Sequence, residues 1–184
     1  MRILALDTST PTTSCALLDE DRVVREQRID PPAKAGDVLP AALGDLAGVD
    51  AVAVGLGPGS FTGLRVGLAA AKAIAYARRI PIAGVSSLAA IALGEPGLVY
   101  AATNARKGEL FTQSFRDGSA QGAVQVIRES DFRLPEGARL LRGPPSAASI
   151  GRLSLPRLRG AAYDATVCFA LAPDYVQGFP ARGG

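Results

Sequence analysis

The sequence predicts an α/β protein of two lobes, each with a mixed sheet that opens with a three-strand meander, the second lobe being reduced. Three observations support this prediction. Short apolar runs separated by turn residues indicate strands near the N-terminus. Helical segments then alternate with further strands. A second series of strands starts after a Gly- and Pro-containing break at 94–97. The 184 residues, 48% of them hydrophobic, suffice for one domain or two small lobes.

The first lobe is predicted to start with three strands. Residues 2–7 form an apolar run that ends in an acid, which is typical of a buried strand. A turn around Pro11 leads to a second strand at 14–18, and the polar tip 19–21 leads to a third at 23–29. Two consecutive prolines then end the meander.

Helices and strands are predicted to alternate after the meander. Residues 36–46 carry apolar side chains at the spacing of an amphipathic helix, and 50–56 form a short apolar run typical of a buried strand. The alanine-rich stretch 68–79 favours a helix. A further strand is expected at 80–84, followed by a serine-capped helix at 85–93.

The second lobe is predicted to repeat this order of elements. Three strands in a meander are followed by one more short strand, over the ranges 98–103, 110–115, 123–128 and 140–141. A last helix is expected at 163–171. Residues 142–160 are rich in Gly, Pro, Ser and Arg, so we expect little regular structure there.

Two such lobes are typical of a duplicated RNase-H-like domain, the architecture of actin and the sugar kinases. We expect the first lobe to span 1–96, completed by the C-terminal helix at about 161–172. The smaller second lobe is expected to span 97–160, and 173–184 to form a C-terminal tail.

Composition restricts the chemistry of the chain. The sequence contains no histidine, which excludes Ser-His-Asp triads, HExxH zinc sites and histidine general bases. Cys15 and Cys168 form no CxxC pair and are expected to be buried thiols in a reducing compartment. Neither a secretory signal nor a run of about 20 apolar residues is found, so we expect a soluble, cytoplasmic protein.

The end of the first strand offers a candidate phosphate-binding turn. Asp7, Thr8 and Ser9 place an acid before small hydroxyl residues, an arrangement that can orient a metal-bound water and turn backbone amides toward phosphate. Alternatively, the acid caps its own turn. The matching turn of the second lobe offers Asn104 and Arg106, and asparagine carries no charge with which to hold a metal.

The glycine-rich stretch 55–67 matches neither common phosphate loop. A Walker loop needs GxxxxGK[ST] and a Rossmann fingerprint needs GxGxxG, and both patterns fail here. The glycines at 59, 63 and 67 recur every four residues, so they share one helix face, which Ala71 and Ala75 continue. Close approach of a neighbouring helix is the favoured interpretation, and anion binding at the helix N-terminus is the alternative.

Several segments together resemble the TsaB (YeaZ) family. The resemblance covers about residues 1–116 and returns near the C-terminus, and it is carried by the segments Met1–Thr10, Gly57–Gly67, Gly84–Leu88, Asn104–Glu109 and Pro173–Tyr175. The segment from Gly57 to Arg65 is specific to this family and its catalytic relative TsaD.

The resemblance implies a noncatalytic subunit with an actin-like fold. Such a subunit binds and activates a TsaD-like transferase, which modifies the adenosine next to the anticodon of tRNA to threonylcarbamoyladenosine. A TsaE-like ATPase joins the complex, tRNA is contacted only through the complex, and the subunit alone forms a homodimer. We accordingly expect no catalytic residue, no metal and no stably bound cofactor, with ATP or ADP bound only in the complex.

The family dimerises through helices of its first lobe, including the one after the glycine-rich turn. The residues predicted to form the partner or dimer interface, or the core directly beneath it, are Leu39, Leu43, Leu46, Arg65, Gly67, Leu68, Ala71, Ala75 and Tyr76. The positions predicted to be a vestigial phosphate loop are Asp7, Thr8, Ser9, Asn104 and Arg106.

The chain departs from the family pattern at two places, and its residues fit three other functions less well. Most members have Asp where Asn104 stands, and a His-Ser pair where this chain has 34–37. A small ATPase or kinase acting alone would need acids in both lobes, and only Asp7 is well placed. A peptidase would need a base beside its serine. An autonomous tRNA-binding protein would show a denser basic surface with aromatic residues.

Overall fold

A five-stranded mixed sheet forms the first half of the computed structural model, which describes residues 1–176. Its strands are β1 (Arg2–Asp7), β2 (Thr13–Asp19), β3 (Arg22–Ile29), β4 (Ala51–Gly55) and β5 (Ile82–Val85). The spatial order is β3-β2-β1-β4-β5, with β1 to β3 antiparallel and β4 and β5 parallel to β1. This is the strand order of an RNase-H-like domain.

The second sheet opens in the same way. Its strands are β6 (Leu98–Asn104), β7 (Glu109–Arg116), β8 (Ser119–Ala120), β9 (Gln125–Arg128) and β10 (Arg139–Arg142). Strands β6 and β7 are antiparallel, β8 and β9 both pair with β7, and β10 runs parallel to β6. The predicted α/β architecture of two meander-led lobes, the second reduced, is confirmed.

The helices cover the two faces of the first sheet. They are α1 (Ala35–Leu43), α2 (Phe61–Arg78), α3 (Ser87–Ala92), α4 (Ala147–Leu158) and α5 (Ala165–Ala170). Helices α1 and α2 cover one face, and α4 covers the other. Helix α5 packs on α2, where Cys168 is fully buried. The side chains of Leu88 and Ala92 on α3 pack against the second sheet, so this helix joins the two lobes.

Helix α4 corrects the prediction that 142–160 lacks regular structure. Its buried residues, Ala147, Ala148, Ile150, Gly151, Ser154 and Leu158, recur at helical spacing. Four of the six are Ala, Gly or Ser, so the close fit of α4 to the sheet looked like loop composition in the sequence. A Cβ on Gly151 would contact Leu18 and Ala5 of the first sheet. The helix that the predicted boundaries assigned to the second lobe therefore packs in the core of the first.

Candidate functional site

The turn after β1 surrounds the carboxylate of Asp7 with hydrogen-bond donors. Asp7 is fully buried; its Oδ1 accepts hydrogen bonds from the Ser9 amide at 2.9 Å and the Ser9 hydroxyl at 2.7 Å. Its Oδ2 accepts from the Ser87 hydroxyl at 2.6 Å. Burial raises the pKa of the Asp7 carboxyl, and the hydrogen bonds from Ser87 and Ser9 oppose this shift.

The backbone of β4 also packs directly against the carboxylate of Asp7. A Cβ on Gly55 would overlap Asp7 Oδ2, so only glycine fits at this point of β4. Both oxygens of the Asp7 carboxylate accept hydrogen bonds from protein groups, and the side chain is fully buried. The carboxylate therefore has no open position toward a ligand. Within residues 1–176, no group of three or more His, Cys, Asp or Glu side chains could hold a metal ion.

The glycines of the stretch 55–67 are explained by the same turn. A Cβ on Gly59 would overlap the Ser9 carbonyl oxygen, and one on Gly63 the Thr8 carbonyl oxygen. A Cβ on Gly67 would overlap Thr8 Oγ1, which donates a 2.7 Å hydrogen bond to the Gly63 carbonyl. The structure therefore corrects the favoured interpretation of these glycines. Because they have no side chain, the turn after β1, and not a neighbouring helix, packs closely against the glycine-rich stretch and α2.

The phosphate-loop positions of the two lobes do not meet in one cavity. A cleft of about 840 Å³ between the lobes is lined by Asn104, Arg106, Phe61, Leu64, Phe111 and Tyr175, among others. Asp7, Thr8 and Ser9 do not line it, because the glycine-rich turn lies between them and the cleft. The Asn104 side-chain oxygen accepts a 2.6 Å hydrogen bond from Arg142, and Arg106 is exposed.

Five of the predicted interface residues lie inside the lobe. Leu39, Gly67, Leu68, Ala71 and Ala75 are buried against β1, β2 and β4 or the turn that follows β1. Leu43 and Leu46 are partly buried. These five residues form the core beneath the surface of the helices, which is the second of the two positions that the sequence left open, since the apolar stripe of an amphipathic helix packs on its own sheet.

The other side of α2 is open. Of the predicted interface residues, Arg65 and Tyr76 are exposed, Tyr76 by 57%. Sequence reasoning missed Ala69 and Ala73, which are exposed at helical spacing between them. The signal was available, because these positions lie opposite the glycine–alanine stripe. We call the exposed residues Phe61, Thr62, Arg65, Ala69, Ala73 and Tyr76 the outer face of α2.

Two residues from the C-terminal segment extend this face. Phe169 of α5, 62% exposed, packs against Tyr76 with 5.6 Å between the ring centroids. Tyr175, 50% exposed, packs against Phe61 at 5.4 Å. No helix within residues 1–176 is long and apolar enough to cross a bilayer.

The strand order and the hydrogen-bonded carboxylate of Asp7 define a two-lobed RNase-H-like protein. In it the acid at the end of β1 binds Ser87 and does not line the cleft between the lobes. The model of the family described as "TsaD: tRNA N6-adenosine threonylcarbamoyltransferase" matches residues 37–137. An uncharacterized protein of Mycobacterium tuberculosis is 38% identical over 158 residues, 80% of this chain and 74% of the relative.

Named relatives agree with this match. The tRNA threonylcarbamoyladenosine biosynthesis protein TsaB of Escherichia coli is 38% identical over 63% of this chain and 55% of its own length. The protein of the same name from Bacillus subtilis is 32% identical over 77% and 66%. YeaZ from Pseudomonas aeruginosa superposes with a TM-score of 0.73 at 27% identity, over 95% of this chain and 99% of that one. The chain belongs to the TsaB (YeaZ) family.

Proposed function

We propose that this chain is a partner subunit that binds and activates a TsaD-like transferase in the cytoplasmic synthesis of tRNA threonylcarbamoyladenosine. The names of the Escherichia coli and Bacillus subtilis relatives support the pathway, and the matching family model supports an association with a transferase of that family. The observation that carries the proposal is the outer face of α2, which exposes small and aromatic side chains without a cover among residues 1–176.

The proposed subunit is an accessory protein and not the transferase. Its sequence has no histidine, and the carboxylate of Asp7 is enclosed by Ser9, Ser87 and the backbone of Gly55. Neither feature supports a metal-dependent reaction in this chain. Because Asp7 is separated from the cleft that Asn104 and Arg106 line, we propose that ATP or ADP binds stably only in the complex.

The remaining partners follow from this role. We propose that a TsaE-like ATPase joins the complex, that tRNA is contacted through the complex, and that the chain alone forms a homodimer through the face used for the transferase. Exposed apolar area of this kind favours self-association when its partner is absent.

Reconstitution tests the proposal. The purified chain is mixed with the TsaD-like protein of the same organism, and the mass of the eluted species is measured by light scattering after size exclusion. We expect a heteromeric peak and loss of the homodimer. When threonylcarbamoyl adenylate, tRNA, ATP and the TsaE-like ATPase are supplied, we expect transfer of the threonylcarbamoyl group to tRNA, with release of AMP, only if both this chain and the TsaD-like protein are present. Unchanged separate peaks contradict the proposal.

The alternative is a small ATPase or kinase that acts alone. It is tested by ATP turnover of the isolated chain, with Asp7→Asn as the matched variant. We expect no turnover from either protein, because the Asp7 carboxylate has no open side toward the cleft. Turnover that is lost in Asp7→Asn favours the alternative.

A further inference from the structure

The exposed aromatic residues around α2 occur as two pairs, and each pair joins the helix to the C-terminal segment. Phe61, in the first turn of α2, pairs with Tyr175, and Tyr76, in its last turn, pairs with Phe169. All four side chains are between 49% and 62% exposed. Two of these four aromatic residues, Phe169 and Tyr175, therefore come from residues 169–175, outside α1 and α2.

Specific contacts fix the C-terminal segment in this position. The ammonium group of Lys72 on α2 donates a 2.9 Å hydrogen bond to the carbonyl of Phe169. The amide of Asp174 donates a 2.8 Å hydrogen bond to the carbonyl of Leu56. Cys168, directly before Phe169, is buried against α2, and Leu171, between the two points, contacts the position of Gly84. The aromatic side chains are thus held in place before any partner arrives, which lowers the entropic cost of binding.

The surface between the two pairs is shallow. Phe61 and Tyr76 are 15 positions apart, which at the rise of a helix corresponds to roughly 22 Å along its axis. Ala69 and Ala73 are exposed between them. Methyl side chains let another backbone come close, while the aromatic pairs at either end limit where it can lie. This shape fits a partner helix of about four turns that packs along α2.

The charge of this surface indicates what the partner helix carries. Helix α2 contains no acidic residue, and the cation of its outer face is Arg65, which lies 5.1 Å from the ring centroid of Phe61. Arg65 takes part in no ion pair within residues 1–176. A second copy would present the same cation and should bind more weakly than a helix with acidic side chains beside an apolar stripe, which complements it.

We propose that the C-terminal segment is an integral half of the docking face, and that the face takes an acidic amphipathic helix of the transferase. This inference rests on the proposed function and specifies the surface that performs it. Phe169 and Tyr175 are the anchors that it adds to Tyr76 and Phe61. Aromatic residues that an interface buries commonly contribute a large share of the binding energy.

The test compares Phe169→Ala and Tyr175→Ala with a control in the second lobe. Leu134→Ala removes a side chain of comparable exposure, 41%, away from α2. Dissociation constants for the TsaD-like protein of the same organism are measured by calorimetry with the full chain, and circular dichroism checks that each variant is folded. We expect about a tenfold or greater loss of affinity for Phe169→Ala and Tyr175→Ala, and a wild-type value for Leu134→Ala.

The outcomes separate this inference from the proposed function. If the wild type binds and both aromatic variants bind as tightly as the wild type, the inference about the C-terminal anchors is overturned and the proposed function stands. If the wild type does not bind, both are overturned. An Arg65→Glu variant tests the charge: weaker binding, and a smaller loss of affinity with added salt than in the wild type, support an acidic partner helix. Heteromeric affinity that is unchanged while homodimer formation is lost assigns the face to a second copy and overturns the inference.

Discussion

The hydroxyl of Ser87 donates a 2.6 Å hydrogen bond to Asp7, a residue 80 positions earlier in the chain. The same hydroxyl accepts a 3.1 Å hydrogen bond from the amide of Gly57. One side chain at the start of α3 therefore joins the end of β1 to the glycine-rich turn that leads into α2. Because α3 also packs on the second sheet, this contact connects the glycine-rich turn to the junction between the lobes.

We predict that Ser87→Ala destabilises the protein by about 1 to 3 kcal/mol, because it leaves a buried carboxylate oxygen and the Gly57 amide without their partner. Urea denaturation of both proteins measures the difference. Ser119→Ala is the matched control, since Ser119 is exposed in β8, and it should leave the midpoint unchanged. An effect of equal size in both variants would contradict the role given to Ser87.

The Asp7 carboxyl should make the stability of the protein depend on pH. Burial raises its pKa in the folded state, so the folded protein holds this proton more tightly than the unfolded chain. The contribution is present below the unfolded pKa and is lost as the pH rises through the raised folded value. The free energy of unfolding of the wild type should therefore fall relative to that of Asp7→Asn as the pH rises through this window.

Unfolding of both proteins across mildly acidic to neutral pH checks this prediction. Other titrating groups affect both proteins alike, so the difference between them isolates Asp7. A difference that moves in the opposite direction would mean that the hydrogen bonds from Ser9 and Ser87 outweigh the burial.

Gly67→Ala should lower the free energy of unfolding by about 1 to 3 kcal/mol, because its Cβ would overlap Thr8 Oγ1 beneath α2. Gly36→Ala is the matched control. Gly36 also lies in a helix, α1, but a Cβ there meets nothing within 4 Å, so this change should stabilise by about 0.4 to 1 kcal/mol. Thermal melts of the two variants should shift in opposite directions, and a common direction would contradict the packing described for Gly67.

Two alanines of α2 that are only two positions apart should respond differently to a charge. Ala71→Glu places a carboxylate where the side chain is completely buried, so we expect severe loss of stability. Ala73→Glu places it on the exposed outer face, so the protein should stay folded but bind the transferase at least about tenfold more weakly. Melting temperatures and affinities of the pair measure both effects, and a folded Ala71→Glu protein would contradict the orientation of α2.

The periodicity of α2 established a helix with a small-residue face, but did not identify what that face contacts. A stripe of Gly and Ala fits a second helix, a strand or a turn equally well, since each needs only close approach. The contact with the turn after β1 joins residues that lie 55 positions apart in the chain, such as Thr8 and Gly63. The same ambiguity left open whether Gly67, Ala71 and Ala75 form a partner interface or the core beneath it, and the structure buries them in the core.

Local patterns of apolar and turn residues determined the two meanders and the helices α1, α2 and α3, because each is set by residues adjacent in the chain. The lack of histidine chemistry follows from the composition alone. Only the tertiary structure decided that α4 covers the first sheet, that Ser87 occupies the carboxylate of Asp7, and that Phe169 and Tyr175 lie beside α2. These relationships join residues about 80 to more than 100 positions apart, and they depend on which faces the folded chain must bury, a property that no local window of sequence contains.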